Sequence, residues 1–157
     1  MNPIQIIYLM EQMDTNKKAV GFKLLNVSTE QFALIEDCFQ KEAVINLEAS
    51  LRFAANDQER KVGIFSLIKF NCAQKPFIII EAGCHFEIQP ESWNEMLSNK
   101  GLLVPKDFIQ HLAGITIGTA RGILHAKTEN TPFNQYVLPT INVIEMIKDD
   151  VTFEFRK

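Results

Sequence analysis

From Ile45 to Ala54 the chain alternates. Ile45, Leu47, Ala49, Leu51 and Phe53 point one way, and Asn46, Glu48, Ser50 and Arg52 the other. Period two is the signature of a strand with one buried face, and it predicts a strand over residues 44–54. The polar turn "NDQERK" (56–61) leads into a second long strand, "VGIFSLIKFNC" (62–72). "AQKP" then turns into "FIIIEAGCHFEIQ" (77–89), where Ile78, Ile80, Ala82, Cys84, Phe86 and Ile88 share one face. Glu81, His85 and Glu87 lie on the other face with Ile79. Upstream, "FKLLNVSTEQFALI" (22–35) alternates in the same way, but the polar Ser28–Gln31 interrupts it, which predicts a bent or bulged strand. Long strands joined by short turns imply an antiparallel meander.

One face of such a sheet needs covering, and the pattern changes after residue 89. "PESWNEMLSNKG" (90–101) reads as a short helix closed by Asn99-Lys100-Gly101. Pro105 near a first helical position and Asp107 in the first turn open a helix over 105–128, about six turns. "TENTP" ends it, because Pro132 cannot continue a helix. Its apolar residues, Phe108, Ile109, Leu112, Ile115, Ile117, Ile123 and Leu124, wrap most of the circumference, as in a helix buried on more than one side. The loop "PFNQYVLP" leads to a short helix at 140–150 and a strand-like tail, "VTFEF". Residues 1–13 could form a short helix or a loose arm, and the polar "DTNKKAVG" (14–21) separates them from the sheet. The expected fold is α+β: a four-stranded antiparallel meander covered by one long helix and a short C-terminal helix. It forms a single domain over residues 1–157, of which 1–21 are an N-terminal segment.

The totals fit one core: 157 residues, 46% hydrophobic and 22% charged. A net charge of −3, with no basic block, gives no electrostatic footprint for nucleic acid. The start, "MNPIQIIYLMEQMD", lacks the basic n-region and cleavage site of a signal peptide, and no apolar run reaches the ~18–20 residues of a membrane helix. A cytoplasmic protein without membrane insertion is the expectation. Twelve Phe against two Tyr and one Trp suggest dry aromatic packing, or apolar surface kept for a partner.

Candidate chemistry is sparse. Cys38, Cys72 and Cys84 have neither the even number nor the spacing of a disulfide framework or a zinc site. His85 and Glu87 lie ~6.5–7 Å apart on one strand face, close enough to share an ion. No further ligand is marked, so a solvated polar face accounts for them and for Glu81. Cys84 and His85 are adjacent and point to opposite faces, so they form no dyad. His111 and His125 lie roughly 21 Å apart along one helix. No phosphate-binding loop or nucleophile motif occurs, so no enzyme, cofactor or metal is expected.

The informative feature is a stripe. Gly114, Gly118, Gly122 and Ala126 recur every fourth residue along the long helix, although each interior glycine costs about 1 kcal/mol relative to alanine. Such a ridge lets another backbone approach closely. It serves either packing on the chain's own sheet or contact with a neighbouring subunit, where Ile115 would join it. His111, Arg121 and Lys127 argue against a membrane-embedded helix pair. Arg121 needs a partner in so apolar a setting, and a carboxylate or backbone carbonyls near the loop could serve.

Taken together, these segments resemble the SecB protein-export chaperones and their SecB-like relatives. The closest stretch runs from Ala120-Arg121 through Thr131-Pro132 to Leu138-Pro139-Thr140-Ile141-Asn142, and "FKLLNVSTEQFAL" (22–34) is similar to the family's first strand. The likeness covers about residues 22–148. It implies a homotetramer, a dimer of dimers with the long helices between dimers, in which Gly114, Gly118, Gly122, Ile115 and Ala126 would lie at the interface. It also implies an ATP-independent holdase for non-native polypeptide, with Phe65, Leu67, Phe133 and Tyr136 as candidate client contacts. The chain ends "FEFRK" where export chaperones of this family carry an acid-rich extension, and no residue is assignable to docking on the translocation ATPase. Two other readings stand beside the holdase. One is an adaptor or dedicated, antitoxin-type partner binder that uses its apolar surface for assembly, and the other a small-ligand pocket between helix and sheet.

Overall fold

The computed structural model describes residues 19–155. The expectation for residues 1–13 therefore lies outside the described part. Four long strands form the main sheet: β1 (Phe22–Leu34), β2 (Ile45–Asn56), β3 (Lys61–Cys72) and β4 (Lys75–Ile88). All pairings are antiparallel, and the strand order is β1-β4-β3-β2. The expected meander is thus corrected at its first strand. β2, β3 and β4 follow one another through turns, whereas β1 pairs with β4 and reaches β2 by a crossover over the end of the sheet. That crossover contains a short 3-10 turn (Glu36–Cys38), anchored where Ile35 N–H donates to the Phe77 carbonyl. The bend in β1 is present as two register shifts, at Leu24/Asn26 and at Thr29/Gln31.

Alternation sets the two faces as expected. Ile78, Ile80, Ala82, Cys84, Phe86 and Ile88 are fully buried on the inner face. Against them lies α2 (Lys106–Thr128), which packs on β3 and β4. Pro105 is the N-cap, and its carbonyl accepts from the amides of Phe108 and Ile109. The residues of α2 turned to the sheet include the small Ala113, Thr116 and Ala120, all fully buried. On the inner face of the sheet Ser66 pairs with Ala82, and both are buried small residues as well.

Downstream the expected helices shorten. The helix at 90–101 is a seven-residue α1 (Pro90–Met96), and Asn99-Lys100 turn a small hairpin between β5 (Leu97–Ser98) and β6 (Gly101–Val104). Gly101 has φ +132°, and a Cβ there would collide with the Phe153 carbonyl. The tail β7 (Val151–Phe153) pairs with β6, completing a three-stranded second sheet. The helix at 140–150 is a single turn, α3 (Val143–Met146), whose N-cap Asn142 accepts from the Ile144 amide.

The core has two lobes. One gathers Phe86, Trp93, Leu102 and Leu112 between the main sheet, α1 and the small sheet. The other gathers Phe70, Phe77, Leu124 and Phe133 near the far end of α2.

Candidate functional site

The second lobe opens onto the surface through an aromatic cluster drawn from four places in the chain. Phe39 comes from the β1–β2 crossover, Phe70 from the end of β3, Phe77 from the start of β4, and Phe133 and Tyr136 from the loop after α2. Ring centroids lie 5.1 Å apart for Phe39–Phe77 and Phe77–Tyr136, and 5.5 Å for Phe39–Phe133. Edge and tilted contacts of this kind add to the stabilisation from burial alone.

The loop is held by local hydrogen bonds. Thr131 Oγ1 donates to the Thr128 carbonyl at 2.7 Å and accepts from the Phe133 amide at 3.2 Å. Asn134 Nδ2 donates to the His125 carbonyl and to Thr128 Oγ1, both at 3.1 Å. Asn130 takes the left-handed backbone (φ 61°) that ends the helix. Farther along, Arg121 reaches from α2 and donates to the carbonyls of Leu138 and Pro139. The crossover side is held by Cys72, whose Sγ accepts from the Gln40 amide at 3.3 Å. Each loop is thus held by its own hydrogen bonds, and the two meet through the ring of Phe39 against those of Phe133 and Tyr136.

Between them is a cavity of about 320 Å³ lined by Phe39, Pro132, Phe133 and Tyr136, with Glu36 and Gln135 at its polar margin. Such a lining can take up an apolar side chain.

Of the expected client contacts, Phe133 and Tyr136 meet at this cavity; Phe133 is 7% exposed and Tyr136 half-buried. Phe65 and Leu67 lie on the opposite, outer face of the sheet. Phe65 is 8% exposed: it lies across Gly83, touches the His85 ring edge-on and is covered by the Arg52 guanidinium, 3.9 Å above its centroid. Leu67 is half-buried beside Leu47, Ser50 and Lys69. The four residues therefore do not form one surface.

The glycine stripe has a definite place. Gly114, Gly118, Gly122 and Ala126 are exposed on the side of α2 away from the sheet. A Cβ on Gly114 or Gly122 would meet none of the described residues within 4 Å, and one on Gly118 only Arg121 Nη1 at 3.9 Å. Packing on the chain's own sheet is therefore not what the glycines serve. That task falls to Ala113, Thr116 and Ala120. Ile115, half-buried, flanks the ridge.

Beside α2 the inner face of the sheet is incompletely covered. Leu24 pairs with Phe86, Val27 with Cys84 and Leu47 with Phe70, all on the inner face, yet they are 44%, 45% and 36% exposed. Four strands about 4.8 Å apart span roughly 14 Å between the outer strand axes, wider than a helix of about 10 Å. One helix cannot cover them.

Nothing local in the sequence marks Phe39, Leu24 or Val27. Phe39 follows a short polar turn and shows no period. The β1 pair is masked by the bulge between Leu24 and Asn26, which shifts the alternation by one residue.

The two outer-face glutamates of β4 are each engaged. Glu81 pairs with Arg52 at 3.2 Å, and Glu87 with Lys23 at 3.4 Å. Among the described residues no group of three or more His, Cys, Asp or Glu is placed to hold a metal ion, and no helix is long and apolar enough to cross a membrane. Compared with protein-family models and with curated proteins, the chain matches none.

Proposed function

We propose that this chain is a SecB-like, ATP-independent holdase that binds non-native polypeptide by burying apolar side chains, and that it works as an oligomer assembled through the bare face of α2. The observation that carries the reading is the open aromatic cavity between the crossover and the loop after α2. It is an apolar recess of side-chain size with preformed walls, and a preformed recess gains more from an incoming apolar group than a surface that must first order itself. Phe133 and Tyr136, suggested by the family resemblance, supply two of its walls, and Phe39 a third.

The bare side of α2 and the uncovered part of the sheet's inner face support the assembly. A second copy laid against Gly114, Gly118 and Gly122 would bring backbone to backbone and place its own apolar residues near Leu24, Val27 and Ile115. A homotetramer, built as a dimer of dimers, is the assembly the resemblance favours. Docking on the translocation ATPase forms no part of the proposal.

The experiment is light scattering on the purified chain, alone and with a slowly refolding polypeptide. A tetramer that suppresses aggregation near stoichiometry, and a Tyr136→Ala variant that remains tetrameric but suppresses less, are the expected results. A tetramer that leaves aggregation untouched sinks the holdase and favours the adaptor or dedicated partner binder. A monomer sinks the assembly.

A further inference from the structure

The described arginines other than Arg60 have partners. Arg52 binds Glu81 and covers Phe65, and Arg121 donates to two carbonyls. Among the described residues Arg60 has none: its Nε is buried without an acceptor there, and its guanidinium makes no hydrogen bond or ion pair with them. Arg60 is half-buried as a residue, and the cost falls on its one buried N–H left without an acceptor.

The acids of its own turn are already engaged. Asp57 Oδ1 accepts from Trp93 Nε1 at 3.0 Å, and Glu59 pairs with Lys61 at 2.8 Å. The backbone of Arg60 is also fixed. It takes the left-handed conformation (φ 50°), and its carbonyl accepts from the Ile88 amide at 2.9 Å. Arg60 is thereby held in the lining of a second cavity, about 320 Å³, with Phe22, Lys23, Glu87, Ile88 and Gln89. Lys23 and Glu87 pair with each other, so the lining carries one net positive charge, that of Arg60.

We propose that this cavity binds a small organic monocarboxylate, its carboxylate on the Arg60 guanidinium and its apolar body against Phe22. The planar guanidinium matches a carboxylate in geometry and charge. Glu87 in the same lining disfavours a dianion such as phosphate. The volume lies at the small end of ligand pockets, roughly 300–1,000 Å³, which suits a single-ring acid. The site is separate from the aromatic cavity and stands whether or not the chain is a holdase.

The test is calorimetric titration of the full chain with benzoate, benzamide and inorganic phosphate. Benzoate is expected to bind at least tenfold more tightly than either of the others. Arg60→Gln should weaken benzoate tenfold or more, and Glu87→Gln should tighten it several-fold by removing the nearby negative charge. Should R60Q fail to fold, benzamide and E87Q decide the matter. Benzoate that does not bind, benzamide that binds equally, or affinity unchanged in a folded R60Q overturns the site. Tighter binding of phosphate, or of acetyl-Ala-Phe through its free terminus, overturns the small monocarboxylate as its occupant.

Discussion

Arg121 Nε donates to the carbonyl oxygen of Leu138 at 2.7 Å, and its Nη2 to that of Pro139 at 2.9 Å. One side chain of α2 therefore fixes the segment that returns from the aromatic loop to α3. Hydrogen bonds from a charged donor contribute about 1.5–3 kcal/mol. Arg121→Ala is accordingly expected to lower unfolding free energy by about 2 kcal/mol, measured by urea denaturation. Arg121→Lys should recover only part of the loss, because an ammonium cannot reproduce the two-carbonyl fork. Unchanged stability in both variants would remove the clamp from the account.

The outer face offers a test of packing. A Cβ on Gly83 would sit 2.9 Å from the Phe65 ring and 2.7 Å from Ser28 Oγ. Gly83→Ala should therefore cost about 1–3 kcal/mol through overpacking. In a Phe65→Leu background the same substitution should cost less, since the smaller side chain leaves room. A double-mutant cycle measures the coupling, and strict additivity would mean that Phe65 does not rest on Gly83.

Ser66 supplies a prediction of the opposite sign. Its hydroxyl is buried on the inner face, 1% exposed as a residue, and has no hydrogen-bond partner among the described residues. Leaving a hydroxyl unsatisfied costs about 1–3 kcal/mol. Ser66→Ala, on a face where Ala82 is its neighbour, is expected to stabilise the chain, or at least not to weaken it, in thermal unfolding. A clear loss would indicate that the hydroxyl has a partner in solution.

What the sequence made legible was periodic and long. Alternation in β2 and β4 assigned their faces, and the extent of α2 is within one residue of that expected from Pro105 and Pro132. What it hid was either short or non-local. β5 and β6 have two and four residues, too few to show a period. The pairing of β1 with β4 depends on a crossover that no local pattern marks. At the candidate site, the need of Arg121 for acceptors was legible because it sits in an apolar stretch, but the choice between a carboxylate and the carbonyls of Leu138 and Pro139 was not. Phe39 could not be found, because its place at the cavity depends on where the crossover lands. The glycine stripe was visible as a period, but only the packing of Ala113, Thr116 and Ala120 on the sheet shows that the bare side points away from it.

The single tryptophan gives a convenient reporter. Trp93 is 2% exposed, and its Nε1 donates to Asp57 Oδ1 at 3.0 Å. Asp57→Ala leaves a buried indole N–H unpaired and should cost about 1–2 kcal/mol, read from the emission shift on unfolding. Asp57→Asn keeps an acceptor oxygen and should cost less. Equal losses in the two variants would show that charge, not the hydrogen bond, matters there.

The glycine ridge separates folding from assembly. In an isolated chain, Gly118→Ala adds a Cβ that among the described residues beyond its own turn of helix meets only Arg121 Nη1, at 3.9 Å. The change should then stabilise the helix by up to about 1 kcal/mol, the difference in propensity between alanine and glycine. If a second copy rests its backbone on the ridge, a larger side chain must hold the two helices apart. Gly118→Leu should leave the dissociated chain folded but weaken association at least tenfold, measured by sedimentation equilibrium over a dilution series. The two readouts move in opposite directions only if the ridge is a contact between copies. An oligomer that tolerates leucine at 118 would place its interface elsewhere and leave the glycines with no structural explanation.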